Sequence, residues 1–414
     1  MSSSRLSSVL AMLCLVGAAC APAPQAQPTA PAAAPVATPA GQAAPAGKEI
    51  VIGGSMAITG GFSDVGREYQ KTYEWYFNQL NASGGLLGRP VRLVLYDDES
   101  DPKKAASLYD KLITVDKVDL LIGPYPTPIL AAVIPIAERE RMVLVQAGTV
   151  ASSLLQGHGN KYTFMAFTFL DRDYTRPWME WLDTLPEAQR PKSMAILTLN
   201  NPFTIGTQAG LLELAKQHNM SVPVNEVYDA TTTDFSALVQ KAKAANVDAL
   251  ALLSYYPDSV QIAKTMAELR LKPKTWYNAI SSTVPTWTSD LKELGEATVT
   301  PAQVWHTMKY KGVDRLTKFA REDFNISFIP FHVGSAATVA DVLTSGVNGC
   351  GKIDQDCIAN WLRSNTVETV SGPLKFDQDG IPQYSAVLTQ VQNGKLTAIY
   401  PRDVADAQGV YPWP

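Results

Sequence analysis

The chain contains few residues whose types and spacing could carry out catalysis. Its four histidines, at positions 158, 218, 306 and 332, are widely separated in sequence, so no pair of them forms a local metal-ligand motif. No glycine-rich nucleotide loop, Walker loop, HExxH zinc motif or GxSxG nucleophile elbow occurs. These absences favour binding over catalysis, and we expect no catalytic residue, no metal site and no cofactor.

The densest group of acidic side chains is Asp97-Asp98-Glu99-Ser100-Asp101. These carboxylates could coordinate a hard cation if their side chains converged. The group lies between an apolar run and a segment of helical period, so a solvated loop that joins a strand to a helix is the favoured interpretation.

Hydroxyl, amide and aromatic residues collect in the loops that follow the predicted strands. These loops are Ser55 to Gly61, Gly123 to Pro128, Gln146 to Thr149, Asn200 to Phe203 and Ser254 to Pro257. In open α/β sheets ligands bind outside the carboxyl ends of the strands, where helix N-termini suit an anion. The loops offer hydrogen-bond partners and ring faces without a nucleophile and base pair, which indicates a binding site. Tyr255 is a candidate to face the ligand, the alternative being a β-prone residue that ends a buried strand.

These loops lie between short apolar runs and longer segments of helical period, which alternate along the chain. The first set has apolar runs at 49–53, 91–96, 120–122 and 142–145 and helical patterns at 64–83, 103–115 and 128–140. The second set has apolar runs at 193–199, 223–228 and 249–253 and helical patterns at 207–217, 235–245 and 259–269. This alternation predicts two doubly wound parallel sheets, separated by a break at 169–190.

Length and composition agree with a two-domain globular protein. The 414 residues are 46% hydrophobic and 18% charged, which is ordinary for globular proteins. The chain after residue 47 is long enough for two domains of roughly 100 to 200 residues. The formal net charge is -4 and no basic run occurs, so we expect a small-molecule ligand and no nucleic acid partner.

The N-terminus has the pattern of a bacterial export signal. Arg5 precedes an apolar run at 9–16 and small residues that lead to Cys20; the run is shorter than the roughly 20 residues of a membrane span. Gly17-Ala18-Ala19-Cys20 resembles a lipobox, whose cysteine is lipidated, although Gly17 stands where Leu or Val is usual. Simple cleavage is the alternative. The Ala- and Pro-rich residues 21–47 predict a disordered tether.

The cysteines indicate one disulfide. With Cys14 in the export segment and Cys20 assigned to lipidation, Cys350 and Cys357 remain. Two nearby cysteines in an exported chain predict a bridge. A zinc site is the alternative, but no second ligand pair accompanies them.

A family resemblance rests on segments that are distributed over the chain. The segment Asn81-Ala82-Ser83-Gly84-Gly85-Leu86-Leu87-Gly88-Arg89-Pro90, followed by Tyr96-Asp97-Asp98-Glu99, resembles the signature of the Leu/Ile/Val-binding periplasmic proteins. Further matching segments are Ile50-Val51-Ile52-Gly53, Leu121-Ile122-Gly123-Pro124, Thr233-Asp234-Phe235-Ser236, Tyr255-Tyr256-Pro257, Gly372-Pro373-Leu374-Lys375 and Val391-Gln392-Asn393-Gly394. The resemblance extends over essentially all of residues 48–400.

The resemblance implies an α/β protein of the type I periplasmic-binding fold, with two doubly wound parallel-sheet lobes joined by a three-crossing hinge. The first lobe would comprise 48–170 plus 303–375, and the second 171–302 plus 376–414. The implied partners are the permease subunits of an ABC importer. We expect a monomer in the periplasm or on the outer face of the cytoplasmic membrane, which touches the membrane through its lipid anchor only.

The resemblance also implies ligand-binding residues. The ligand carboxylate is expected at the hydroxyl of Thr127, at Gly148 and at the backbone N–H of Thr149, since these groups can donate to an anion. Tyr255 is expected to cover the ligand from the second lobe. Tyr125, in the loop before Thr127, is a further candidate.

The resemblance fails at one position that matters for ligand chemistry. The acidic residue that pairs the ligand ammonium in amino-acid-binding relatives should lie near Asn278-Ala279-Ile280-Ser281, which contains no carboxylate. A buried ammonium without a partner costs several kcal/mol. Either Asp171 at the hinge replaces the missing acid or the ligand lacks an amine, so Asp171 and Asn278 are also candidate ligand-binding residues.

The expected function is that of an exported, lipid-tethered solute receptor that delivers a small carboxylate-bearing ligand to an ABC importer. The ligand would be a branched-chain amino acid or a related aromatic or aliphatic acid or amide. The alternative is a sensor subunit of the same fold that reports ligand closure to a regulatory partner.

Overall fold

A computed structural model describes residues 47–413 of the chain. The predicted export segment, the proposed lipidation site Cys20 and the predicted tether up to residue 46 lie outside the described residues. Across residues 47–413, no helix has the length and apolar character that a membrane crossing needs.

The first sheet forms from the N-terminal alternation of strands and helices. Its elements are β1 Ile50–Met56, α1 Ser63–Ala82, β2 Val91–Asp97, α2 Pro102–Thr114, β3 Leu120–Ile122, α3 Thr127–Arg139, β4 Leu144–Gln146, α4 Ser152–Leu155 and β5 Thr163–Met165. All its strand pairs are parallel, in the order β2-β1-β3-β4-β5. β1, β3 and β4 are wholly buried, as expected for strands that helices cover on both faces.

The second sheet repeats the alternation and adds two antiparallel strands. The elements that lead into it and build its parallel part are α5 Arg176–Asp183, β6 Ser193–Leu199, α6 Pro202–Gln217, β7 Ser221–Tyr228, α7 Ser236–Ala244, β8 Ala249–Leu253, α8 Tyr256–Glu268, β9 Thr275–Asn278, α9 Trp287–Leu291 and β10 Thr298–Ala302. Its two antiparallel strands are β13 Val387–Gln392 and β14 Lys395–Tyr400. The strand order is β14-β13-β10-β9-β8-β6-β7. The predicted doubly wound α/β fold is confirmed, and the antiparallel edge is an addition that the alternation did not indicate.

The chain after β10 returns to the first sheet before it supplies that antiparallel edge. Its elements are α10 Val313–Phe324, α11 Phe331–Cys350, α12 Gln355–Ser364, β11 Thr366–Thr369, β12 Gly372–Lys375, β13 Val387–Gln392 and β14 Lys395–Tyr400. α11 packs along α1, where the Tyr76 hydroxyl donates to the Asp341 carboxylate at 2.7 Å. α12 reaches β4 through the Gln355 side chain, which accepts from Val143 N–H at 2.8 Å.

The chain crosses between the sheets three times, and the crossing segments are hydrogen-bonded to one another. The Ser385 N–H donates to the Thr168 carbonyl at 2.8 Å. The Gln303 side chain donates to the Ala166 carbonyl at 2.8 Å and to the Ser371 hydroxyl at 2.7 Å. The predicted three-crossing connection is therefore present, while the lobe boundaries that we placed after residues 170, 302 and 375 stay a prediction.

The acidic cluster after β2 serves the local backbone. Asp101 caps α2 by accepting the Lys103 and Lys104 N–H groups, with Pro102 in the first turn. Asp97 accepts the Thr59 hydroxyl at 2.7 Å, and Asp98 accepts the Ser55 hydroxyl at 2.7 Å. These contacts agree with the favoured interpretation of a strand-to-helix loop.

The structure joins Cys350, the last residue of α11, to Cys357 in α12, with Cα atoms 5.8 Å apart. We predict that the exported protein carries this bridge and that its loss costs roughly 2 to 3 kcal/mol, because the reduced unfolded chain gains loop entropy. Thiol titration of the unreduced, denatured mature protein checks the prediction. Two reactive thiols from this pair would contradict it.

Candidate functional site

The loops at the carboxyl ends of both sheets enclose a cavity of about 20 Å³, which is room for about one water molecule. Five residues that the sequence analysis selected line it, namely Tyr125, Thr127, Gly148, Thr149 and Tyr255. Five others that it did not select also line it, namely Val150, Phe167, Tyr174, Phe203 and Ile280. The cavity lies where the strand-end rule for parallel sheets predicts a ligand site.

The wall formed by the first sheet presents a helix N-terminus and two hydroxyls. Thr127 is the first residue of α3, so the positive end of the helix dipole faces the cavity. The Thr127 hydroxyl donates to the Thr149 hydroxyl oxygen at 2.9 Å. That oxygen also accepts from the Ala151 N–H at 3.0 Å, which leaves the Thr149 hydroxyl proton to donate elsewhere. This wall can therefore stabilise a carboxylate.

One part of the expected anion site is not free. The side chain of Gln146, the last residue of β4, folds back over the following loop, and its oxygen accepts the N–H groups of Gly148 at 2.9 Å and Thr149 at 3.0 Å. The expectation that the Thr149 backbone N–H is available to an anion is wrong for this structure, because Gln146 already satisfies it. The Thr149 hydroxyl proton is the free donor, and the Thr127 hydroxyl, which donates to Thr149, reaches an anion by rotating away from it.

Gly148 is required by the close packing of the loops after β3 and β4. A Cβ atom at this position would overlap the carbonyl oxygen of Pro124. The glycine therefore contributes a close approach of two backbones, and its own N–H is directed at Gln146 rather than at the cavity.

Aromatic rings from both sheets meet across the cavity. Tyr255, which immediately precedes α8, makes edge contacts with Phe62 at 5.4 Å and Tyr125 at 6.3 Å between ring centroids. Phe203 of α6 lies 6.0 Å from Tyr255 and 4.9 Å from Tyr174. Each such pair stabilises by about 0.5 to 1.5 kcal/mol beyond its area, so these rings hold the loops together in a closed arrangement.

The Tyr255 hydroxyl is a buried polar group next to the anion wall. It has no hydrogen-bond partner among the described residues. Burial raises the pKa of Tyr255, and the hydroxyl and N–H of Thr127, which lie near the phenol oxygen without a well-formed hydrogen bond to it, oppose that rise. The phenol is therefore protonated at neutral pH and can donate to a ligand oxygen.

Asp171 does not line the cavity. Its carboxylate accepts the N–H groups of Ser152 at 3.0 Å and Arg172 at 2.8 Å. It packs against Gly206 of α6, where a Cβ atom would overlap the carboxylate. Burial raises the pKa of Asp171, and these hydrogen bonds oppose the rise. Asp171 thus joins the crossing segment to α4 and α6, and the structure gives it no contact with the cavity.

Asn278 also lies behind the cavity wall, and the segment that follows it is neutral. Its side-chain oxygen accepts the N–H groups of Ile280 at 3.1 Å and Ser281 at 2.6 Å, which holds Ile280 against the cavity. The Ser281 hydroxyl donates to Ser259 at 2.9 Å, and Ser259 also bonds Ser254 at 2.7 Å. Among the residues that line the cavity in the described chain, none carries a charged side chain.

Two of the missed residues had a sequence signal. Phe203 follows β6 in one of the loops that the strand-end rule selects, at a place equivalent to that of Tyr255 after β8. Ile280 follows β9 in the same way. Phe167 lies two residues after β5, as Ile280 does after β9, but the sequence pattern predicted no strand at β5. Tyr174 lies further along the crossing segment, so only the three-dimensional path of the chain identifies it.

Residues 49–395 match a family model described as periplasmic binding protein. The Leu/Ile/Val-binding protein of Citrobacter freundii is 25% identical over 338 residues, covering 80% of this chain and 88% of that protein.

Two solved structures share the fold. A branched-chain amino acid transporter substrate binding protein from Streptococcus pneumoniae, in complex with isoleucine, has a TM-score of 0.75 at 20% identity and covers 88% of this chain and 100% of that one. An ABC transporter solute binding protein from R. palustris, in complex with benzoate, has a TM-score of 0.76 at 16% identity and covers 88% of this chain and 99% of that one. At these identities the likeness establishes the fold.

The hydroxyl at position 127 is testable by substitution. Thr127→Ala should weaken binding of the tightest carboxylate ligand by about tenfold to a hundredfold, because one hydrogen bond to a charged group is lost. Thr127→Ser, which keeps the hydroxyl, should bind within a few-fold of the wild type. Calorimetry measures both, and equal affinity of the alanine variant and the wild type would remove Thr127 from the site.

Proposed function

Since this chain belongs to the periplasmic binding protein family, we propose that it is an exported lipoprotein that delivers a small carboxylate without an amine to an ABC importer. The family consists of substrate-binding proteins of transporters, which are exported and are not enzymes. Its relatives are of the branched-chain amino-acid ABC transporter type. The ligand and the lipid anchor are what this proposal adds.

The charge distribution around the cavity carries the proposal for the ligand. The hydroxyls of Thr127 and Thr149, the N-terminus of α3 and the Tyr255 hydroxyl are donors that suit a carboxylate. The opposite wall, behind Ile280, contains hydroxyl and amide groups. A zwitterionic amino acid would bury an ammonium there without a carboxylate partner, at a cost of several kcal/mol.

The position of Asp171 strengthens this inference. It was the alternative partner for an ammonium, but its oxygens accept hydrogen bonds from Ser152 and Arg172 and support the crossing segment. The aromatic lining from Tyr125, Tyr174 and Phe203 suits a flat or apolar body. The benzoate complex of one structural relative is a precedent for such a ligand in this fold.

Ligand entry requires the closed arrangement to open. A cavity of about 20 Å³ is much smaller than the roughly 300 Å³ and more of typical small-molecule sites. The crossing segments that contain Thr168, Gln303 and Ser385 provide the hinge about which the lobes would part. Opening and closing of this kind suits a protein that captures a solute and releases it to a permease.

The missing ammonium partner leads to a direct competition test. We predict that 4-methyl-2-oxopentanoate or benzoate binds more tightly than leucine, isoleucine or valine, because the amine-free acids bury no unpaired cation. Competition calorimetry on refolded, ligand-stripped protein measures the ratio. An amino acid that binds more than about tenfold tighter, which is a difference of 1.4 kcal/mol, would show that the amine has a partner and would contradict the proposal.

The lipid anchor is tested at Cys20. Replacing Cys20 by Ser should release the protein from membranes into the soluble exported fraction, because the thiol that receives the lipid is absent. Fractionation and mass spectrometry of the mature N-terminus check this result. A wild-type N-terminus that lies downstream of Cys20 and carries no lipid would contradict it.

A further inference from the structure

Two ionisable side chains are buried together behind the aromatic wall of the cavity. Glu68 extends from α1 and His332 from the first turn of α11, and their side chains are 4% and 0% exposed. The His332 Nδ1 and Glu68 Oε2 atoms lie 3.5 Å apart, which is too long for a good hydrogen bond. We call these two residues the Glu68–His332 pair.

The polar atoms of the pair are unsatisfied. Glu68 Oε2 and both ring nitrogens of His332 have no hydrogen-bond partner among the described residues. Buried polar atoms in native proteins are nearly always hydrogen-bonded, because leaving one unpaired costs about 1 to 3 kcal/mol. Three unpaired atoms in one place therefore call for a polar partner that is not part of the chain, such as a water molecule or a ligand.

The pair lies one ring behind the cavity. The His332 ring makes an edge contact with Tyr125 at 5.0 Å between centroids, and Tyr125 lines the cavity. The neighbouring Phe331 stacks at 5.4 Å on Phe167, which lines the cavity as well. Tyr125 is thus the side chain that separates the pair from the cavity. Rotation of Tyr125 would extend the cavity to the pair.

The protonation states of the pair suit a neutral hydrogen-bonding group. Burial raises the pKa of Glu68 well above its ordinary value, and the nearby Asp64 raises it further. Burial lowers the pKa of His332 to about 3. The direction of the Glu68 shift favours the carboxylic acid, which can donate, and the neutral imidazole of His332 offers one donor and one acceptor. A hydroxyl group can accept from one member and donate to the other.

We propose that Glu68 and His332 form a second polar subsite of the ligand cavity, which binds a hydroxyl group that the ligand carries in addition to its carboxylate. The subsite rests on the proposed function, because it would extend the same cavity. In that cavity Thr127 and Thr149 provide the hydrogen-bond donors for the carboxylate. It narrows the ligand class to hydroxylated acids, with Tyr125 as the movable ring between the two subsites.

Matched ligand pairs that differ by one hydroxyl test the subsite. The pairs are benzoate with 4-hydroxybenzoate, phenylalanine with tyrosine, and valine with threonine. In the wild type the hydroxylated member of each measurable pair should bind at least about tenfold tighter, because it pairs the buried polar atoms that the parent leaves unpaired. Calorimetry on the ligand-stripped protein measures each ratio.

Variants separate a ligand contact from a structural role. Glu68→Leu and His332→Leu should abolish the hydroxyl preference and leave the Tm equal to or above that of the wild type, because they remove unpaired buried atoms. Glu68→Gln and His332→Gln keep hydrogen-bonding groups and should retain part of the preference. Glu74→Leu, on the exposed face of α1, is the matched control and should change neither quantity.

The outcomes distinguish the subsite from the proposed function. Equal binding of both members of every pair to the wild type, or a preference that survives in both leucine variants, overturns the subsite. If Glu68→Leu lowers the Tm and weakens the binding of both members of a pair equally, Glu68 has a structural role. This result also overturns the subsite. If the amino acids bind more tightly than benzoate and 4-hydroxybenzoate, the proposed function fails. The ratio of affinities between the hydroxylated amino acid and its parent then still decides the subsite. Absence of binding by the whole panel contradicts both.

Discussion

The hydrogen bonds among the three crossing segments determine which loops of the two sheets face one another. Ala166 and Thr168 on the first crossing accept from Gln303 on the second and Ser385 on the third. Because the strands of each sheet are parallel where they approach the cleft, all their carboxyl ends lie at one edge, and the crossings turn these two edges together. The aromatic contacts between Tyr125 and Tyr255 are possible only in this arrangement.

The site that results is polar without being charged. The hydroxyls of Thr127 and Thr149 and the N-terminus of α3 can stabilise a carboxylate by oriented dipoles. These donors would contact the carboxylate end of the ligand only. They place no requirement on the charge of its opposite end. On the proposed function, the neutral segment after Asn278 would influence ligand choice as much as the anion wall, since it offers no partner to a buried ammonium.

Buried acids in this protein fall into two classes that their hydrogen bonds separate. Asp171 is buried, but backbone N–H groups of Ser152 and Arg172 satisfy it, and it joins three elements of the hinge region. Glu68 is buried next to His332, and the facing atoms of both remain unpaired. Two carboxylates that are equally buried can therefore have different roles. The satisfied carboxylate of Asp171 supports the fold, whereas the unsatisfied one of Glu68 is the basis of the proposed subsite.

The sequence alone determined the alternation of strands and helices, the family and the loops that carry Thr127 and Tyr255, because side-chain period and strand-end position are local properties of the chain. Only the tertiary structure decided which groups in those loops are free. Gln146 occupies the N–H of Thr149, and Asp171 turns towards its own neighbours. The Glu68–His332 pair brings together α1 and α11 from opposite ends of the chain. Burial and hydrogen-bond satisfaction depend on such distant contacts, which no spacing of residues encodes.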